Sequence, residues 1–190
     1  DDYFLRPIFK PFRQLLSKFD CIFVQDAESA SILATNNITQ HQIVGDTRID
    51  RAISNTENVI VPARVKDFVQ GTKVIVYGSV WTSDMHIVKG LIAAFPTFKH
   101  IIAPHDIGNK NIDHLIGMIP KPTCLYSNET LDTDILMINN IGMLSSLYAI
   151  ANYAYIGGGF QRGIHNTLEP TVFGIPVYFG PKHQKFNEAV

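Results

Sequence analysis

Two cysteines in 190 residues, Cys21 and Cys124, are too few and too far apart for a disulfide framework or a zinc cluster. Both fall in apolar, strand-like runs, so both are expected to be reduced thiols of the core. The sequence has no run of about 18 apolar residues and no signal peptide with a cleavage site, so nothing in it reads as a membrane span. Neither sign of charge dominates: 16 Lys and Arg stand against 17 Asp and Glu, for a formal net charge of −1, and this balance does not recommend a nucleic acid as partner. Tryptophan occurs once, at Trp81, and no internal repeat or low-complexity segment is present. An initiator methionine is missing too. The chain opens on Asp1-Asp2-Tyr3-Phe4 and stops at Ala189-Val190 inside a helical pattern, so it reads as a piece of a longer protein.

What is present describes a folded globular chain. Hydrophobic residues make up 46% and charged residues 17%, a balance unlike that of disordered sequences. The length suits one domain or one and a fraction and allows a sizeable core. Residues 3–19 space Phe4, Ile8, Phe12, Leu15 and Phe19 roughly as a helix would, with Arg6, Lys10, Arg13 and Lys18 between them. That mixture suggests a membrane surface or an amphipathic helix packed on a neighbour. Packing takes precedence, because Pro7 and Pro11 interrupt the pattern.

The remainder alternates regularly. Strands are expected at Cys21–Val24, Gln42–Val44, Lys73–Tyr77, His100–Ala103, Thr123–Tyr126, Asp134–Ile138, Tyr153–Ile156 and Pro176–Phe179. Helices are expected at Ala27–Thr35, Pro62–Val69, Ser83–Phe95, Asn111–Met118, Met143–Ala151 and Thr167–Phe173, with a last helical start at Phe186. Strands rich in Val, Ile and Tyr, separated by short helices, point to βα units and a parallel α/β sheet. The charged run Gly45 to Arg51 reads as a helix start with exposed ion pairs or as a hinge against a ligand, the former taking precedence.

In such sheets ligands bind beyond the carboxyl ends of the strands, so the following loops are searched first. The most informative is Tyr155 to Pro170, a strand running into Gly157-Gly158-Gly159, Gly163 and then a helix start capped by Asn166 or Thr167. Glycines allow close backbone approach, and free helix-start N–H groups favour phosphate or carboxylate. Glu169 either answers the helix dipole or accepts hydrogen bonds from ribose hydroxyls. After Tyr77 comes Gly78-Ser79-Val80-Trp81, with Ser83 or Asp84 as helix cap; after Ala103 comes Pro104-His105, an imidazole that meets a phosphate or a base or else stays a surface histidine. Asn139-Asn140-Ile141-Gly142-Met143 adds another helix start. Together these loops outline a nucleotide-sized cleft.

Ile141-Gly142-Met143-Leu144, Tyr155-Ile156-Gly157-Gly158-Gly159-Phe160, Gly163, His165-Asn166, Leu168-Glu169-Pro170, Phe173-Gly174, Pro176-Val177 and Phe179-Gly180-Pro181 resemble the C-terminal half of the Kdo transferases. The likeness extends back through Pro104-His105, Gly78-Ser79 and the run Gly45 to Asp50, as far as Val24-Gln25-Asp26, and so covers most of the chain. These enzymes transfer 3-deoxy-D-manno-octulosonic acid (Kdo) from CMP-Kdo to lipid A precursors in lipopolysaccharide biosynthesis. The resemblance implies one half of a GT-B fold, a Rossmann-like parallel sheet with helices on both faces. It makes residues 1–45 the tail of an N-terminal acceptor domain with its linker, and residues 46–190 the donor domain, truncated at its end. It implies donor contacts from Ser79, Trp81, Pro104, His105, Gly142, Met143, Gly158, Gly159, Gly163, Asn166 and Glu169. No metal or other cofactor is expected, and the acceptor, a lipid A precursor, would be met by the missing domain at the cytoplasmic face of a bacterial inner membrane. Departures are visible: many members carry an arginine between the proline and histidine and a threonine after the serine, where this chain has Pro104-His105 and Ser79-Val80. The family's carboxylate base belongs to the N-terminal domain, so no residue here matches it and the chain alone is expected to be inactive. A UDP-sugar transferase or epimerase of the same fold, or a non-catalytic nucleotide-binding domain, remains the alternative.

Overall fold

The computed structural model describes residues 14–57, 59–161, 163–184 and 186–189. Residues 3–13 of the amphipathic N-terminal stretch lie outside them. Two compact units divide between Arg51 and Ala52.

The first unit is a single βαβ turn. Strand β1 (Ile22–Val24) pairs in parallel with β2 (His41–Ile43), and helix α1 (Ala27–Thr35) connects them. Asp26 caps α1, its carboxylate accepting from the Ser29 amide at 2.7 Å. Cys21 precedes the strand and is exposed, which corrects its expected place in the core: the sheet has only two strands, and Cys21 lies just before the first of them. The Gly45–Arg51 run resolves as a helix start. Asp46 pairs with the Arg48 guanidinium at 2.6 Å and accepts from the Arg48 amide at 2.9 Å, opening helix α2 (Thr47–Glu57). The Arg48 hydrogen bonds hold the Asp46 carboxyl below the usual carboxylate range.

The second unit carries helix α3 (Ala63–Val69), β3 (Val74–Val80), α4 (Met85–Ala94), β4 (Lys99–Pro104), α5 (Asn109–Gly117), β5 (Thr123–Leu125), β6 (Ile135–Met137), α6 (Leu144–Tyr148), β7 (Tyr153–Ile156), α7 (Leu168–Thr171) and β8 (Val177–Phe179). The strands form one six-stranded sheet in the order β5-β6-β4-β3-β7-β8, with every pairing parallel. Side chains alternate between two buried layers, which is why the strands read as continuous apolar runs. Val74, Val76, Ile101, Leu136 and Ala154 face α3 and α6, where Val65, Phe68, Leu147 and Tyr148 pack. Ile75, Tyr77, Ile102, Met137 and Tyr155 face α4 and α5, meeting Met85, Val88, Ile92 and Leu115. Helices therefore cover both faces, as a Rossmann-like sheet requires.

Strand β3 runs three residues past the expected end at Tyr77. Gly78-Ser79 reads as a turn, yet the chain only bulges there: Tyr77 pairs with Ile102, and after a register shift Val80 pairs with Pro104. Ser79 takes the left-handed φ of +53° at the bulge. A side chain at Gly78 would collide with the Tyr148 hydroxyl, so the glycine serves core packing rather than a loop.

Candidate functional site

Strand β3 has β4 on one side and β7 on the other, so the chain leaves its carboxyl end toward β4 and returns later beside β7. This change of direction marks a topological switch point, and in open parallel sheets the carboxyl edge at such a point is the usual ligand position. Trp81 follows β3, His105 follows Pro104 at the end of β4, and Gly157–Gly163 with His165 follow β7. These loops are stitched together by backbone bonds, His105 N–H donating to the Val80 carbonyl at 3.0 Å and Gly157 N–H to the Gly78 carbonyl at 2.8 Å. The expected candidates Ser79, Trp81, Pro104, His105, Gly158, Gly159 and Gly163 are thereby gathered at one edge of the sheet.

Asp84 underlies this edge, and sequence reading had it only as a helix cap. It has no exposed surface. One carboxylate oxygen accepts from the Trp81 amide at 2.9 Å and the Gly158 amide at 3.0 Å, and the other accepts from the Tyr155 hydroxyl at 3.0 Å. Through these bonds the buried carboxylate ties the β3 loop to the glycine turn. The three-residue spacing from Trp81 to Asp84 is that of a capping box, which predicts the Trp81 bond but not the two long-range ones. Burial, then the nearby Asp84 charge, pushes the Tyr155 hydroxyl well above its ordinary value.

The glycine turn is shaped by close approach. A Cβ on Gly157 would strike the Ser79 carbonyl and lie 2.8 Å from the Asp84 carboxylate, and Gly158 has φ of +93°. The amides of Gly157, Gly158 and Gly163 bond within the protein, to Gly78, Asp84 and the Gly158 carbonyl. They are therefore engaged by the fold itself, and the close backbone approach expected of these glycines is made to β3 at Gly157.

Three aromatic rings meet over the turn. The Trp81 indole N–H donates to His165 Nε2 at 3.0 Å, and the two ring planes lie 11° from parallel with centroids 6.2 Å apart. His105 stacks on both, its centroid 4.1 Å from Trp81 and 4.5 Å from His165. His165 is half-buried and His105 exposed. An imidazole nitrogen that accepts must be unprotonated, so this His165 is neutral with its proton on Nδ1. Burial, followed by the His105 charge, holds the His165 pKa below the ordinary imidazole value, while Asp84 pulls it upward.

The other candidates lie at the same carboxyl edge. Gly142, in the loop after β6, is exposed with φ of +91°, whereas the Met143 side chain is buried in the core layer beside Leu147. Asn166 Nδ2 donates to Glu169 Oε1 at 3.1 Å, and Asn166 Oδ1 accepts from the Leu168 amide at 3.0 Å. Asn166 thus supplies the capping bond. Thr167 occupies the cap position but its buried hydroxyl finds no partner among the described residues. An apolar cavity of about 480 Å³ lies on the α4 face of β7 and β8, lined by Leu91, Phe95, Tyr153, Phe160 and Tyr178 among others. It offers no charged group to a phosphate, so the polar carboxyl edge is the better candidate despite the cavity's size.

No protein-family model matches the chain. It is 33% identical over 120 residues to a 3-deoxy-D-manno-octulosonic acid transferase of Aquifex aeolicus (strain VF5), covering 60% of this chain and 33% of that protein. It is 26% identical over 190 residues to the enzyme of the same name from Rickettsia bellii (strain RML369-C), covering 93% of this chain and 44% of the relative. The chain thus spans between a third and a half of the length of these relatives. Among solved structures, the C-terminal CMP-Kdo binding domain of WaaA from Acinetobacter baumannii superposes with a TM-score of 0.56 at 17% identity, over 74% of this chain and 76% of that one. UDP-GlcNAc 2-epimerase from Neisseria meningitidis superposes with a TM-score of 0.59 at 15% identity, over 93% of this chain and 48% of that one. In sequence this chain is therefore a relative of the 3-deoxy-D-manno-octulosonic acid transferases, and in fold it matches the C-terminal half of such an enzyme.

Proposed function

We propose that the Rossmann-like unit binds a nucleotide-sugar donor, CMP-Kdo, for a glycosyltransferase that passes Kdo to a lipid A precursor in lipopolysaccharide biosynthesis. The observation that carries this reading is the convergence of the loops bearing Trp81, His105 and the glycine turn at the switch between β3 and β7. A flat aromatic cluster beside polar loop ends suits a base and a sugar phosphate. Asn166 and Glu169 lie on the segment leaving the glycine turn and are assigned the phosphate and ribose region, and Gly142 presents its amide from the neighbouring loop. No metal is assigned a part. Acceptor and catalytic base are assigned to an N-terminal domain, at the cytoplasmic face of the inner membrane; among the described residues no helix is long and apolar enough to cross a membrane.

Calorimetry with CMP and UMP tests the donor. CMP is expected to bind, and more tightly than UMP. Glu169→Gln is expected to weaken CMP about tenfold to a hundredfold, since a hydrogen bond to a charged group contributes roughly 1.5–3 kcal/mol, with little change in the thermal midpoint. Preference for UMP would move the chain to the UDP-sugar enzymes. Unaltered CMP affinity in Glu169→Gln, with lowered stability, would leave Glu169 a helix-dipole residue.

A further inference from the structure

We propose that His165 is a positioning residue: its imidazole locks the Trp81 indole in plane, and the locked indole with His105 forms a shelf on which the nucleotide's base stacks. The inference rests on the nucleotide-binding reading and adds to it the part of the ligand that this cluster recognises. Trp81 sits just after a bulged strand end, and its side-chain torsion about the ring is intrinsically broad, so backbone alone leaves the indole free to turn. Two contacts remove that freedom. The backbone amide of Trp81 is held by Asp84, and the ring N–H by His165 Nε2 at 3.0 Å. The result is a nearly parallel indole–imidazole pair, 11° between ring planes, with His105 stacked on both rings at 20° and 28°. Gly158 lets the backbone pass beneath His165, where an added Cβ would lie 3.2 Å from the ring carbon Cδ2. His105 is exposed and carries the shelf's surface toward solvent. Stacking is tolerant of base identity because every base has a π-face, so the shelf strengthens CMP and UMP alike and leaves discrimination to other groups.

The lock requires an unprotonated Nε2. Among the described residues, the charged groups acting on His165 are His105, from the loop after β4, and Asp84, from the turn after β3; with burial, His105 disfavours the imidazolium and Asp84 favours it. Since Trp81 is the chain's single tryptophan, its fluorescence reports on this pair directly. Trp81 emission is recorded against pH, and CMP and UMP binding is measured at neutral pH, for the parent chain, His165→Gln and His165→Leu. Glutamine offers an amide oxygen to the indole N–H, so His165→Gln is expected to bind both nucleotides within about threefold of the parent and to lose one step of the emission-pH profile. Leucine offers nothing, and His165→Leu is expected to lose tenfold or more for both. Equal binding by the parent and His165→Leu overturns the proposal, as does an equal loss in both variants or a profile unchanged in His165→Gln. A parent that binds neither nucleotide sinks the nucleotide reading itself and the shelf with it, whereas binding that ignores His165→Leu sinks only the shelf.

Discussion

Asp84 and Gly157 show how single residues set this edge of the sheet. A carboxylate with no exposed surface survives because amides of Trp81 and Gly158 and the Tyr155 hydroxyl all point at it. That convergence needs the glycine turn to lie almost against β3, and Gly157 is where the two backbones touch: an added methyl would meet the Ser79 carbonyl, and neither backbone can yield without disturbing the Asp84 bonds. Gly157→Ala is therefore expected to destabilise by about 1–3 kcal/mol, the usual cost of overpacking. Gly90, exposed inside α4 with nothing within 4 Å of its added methyl, supplies the contrast. Gly90→Ala is expected to stabilise by roughly 0.5–1 kcal/mol through helix propensity. Urea denaturation of both variants decides the matter, and equal midpoints would contradict the packing argument.

At the level of elements, β3 and β4 are joined by more than their ladder. The Tyr77 hydroxyl bonds to His100 Nδ1 at 2.8 Å, and His100 Nε2–H donates to the Phe95 carbonyl at 3.0 Å, so both nitrogens of a buried imidazole are used in its neutral form. Burial lowers the His100 pKa from the ordinary 6.5. The unfolded chain then takes up a proton at higher pH than the folded one, so stability is full above the unfolded value and is lost as pH falls below it. Unfolding midpoints are expected to drop as pH is lowered from about 7 to about 5, less steeply in His100→Gln, while a slope unaltered by the substitution would place the effect elsewhere, His165 included. The elements themselves were legible in the sequence because continuous Val, Ile and Tyr runs between short helices admit few folds. Most of the expected strands and helices begin and end within a few residues of the observed ones. The misses have local causes. Gly78-Ser79 carries a turn signal but serves a bulge, Met143–Ala151 narrows to a five-residue helix at Leu144–Tyr148, and Cys21 lies outside its strand. Candidate loops were legible because they follow strands. The Asp84 bonds to Gly158 and Tyr155, 74 and 71 residues away, were not, since no local pattern records a contact made by the sheet's crossover.

For the whole molecule, the proposed function separates holding a ligand from transforming it. The carboxyl edge belongs to one Rossmann-like unit, and Asp84 and Glu169 there already accept hydrogen bonds. Asp84 is buried and accepts from Trp81, Gly158 and Tyr155, and Glu169 accepts from Asn166. His165 Nε2 is taken by the indole. A general base must reach the proton it removes, and such bases contribute about 10²–10⁴-fold, with acceptor positioning adding more. The Kdo-transferase resemblance would assign both base and acceptor cleft to an N-terminal domain of which residues 1–45 are only the tail. Purified chain 1–190 is therefore expected to bind CMP but to give no transfer above background when supplied with CMP-Kdo and a lipid A precursor. Adding an N-terminal domain in the same polypeptide is expected to restore turnover, and replacing an acidic residue facing the carboxyl edge from that domain is expected to abolish it while leaving CMP affinity within about twofold, because uniform donor binding and transition-state proton transfer are separable. Robust transfer by the isolated chain would place the base among the residues described above, with exposed His105 the first to substitute.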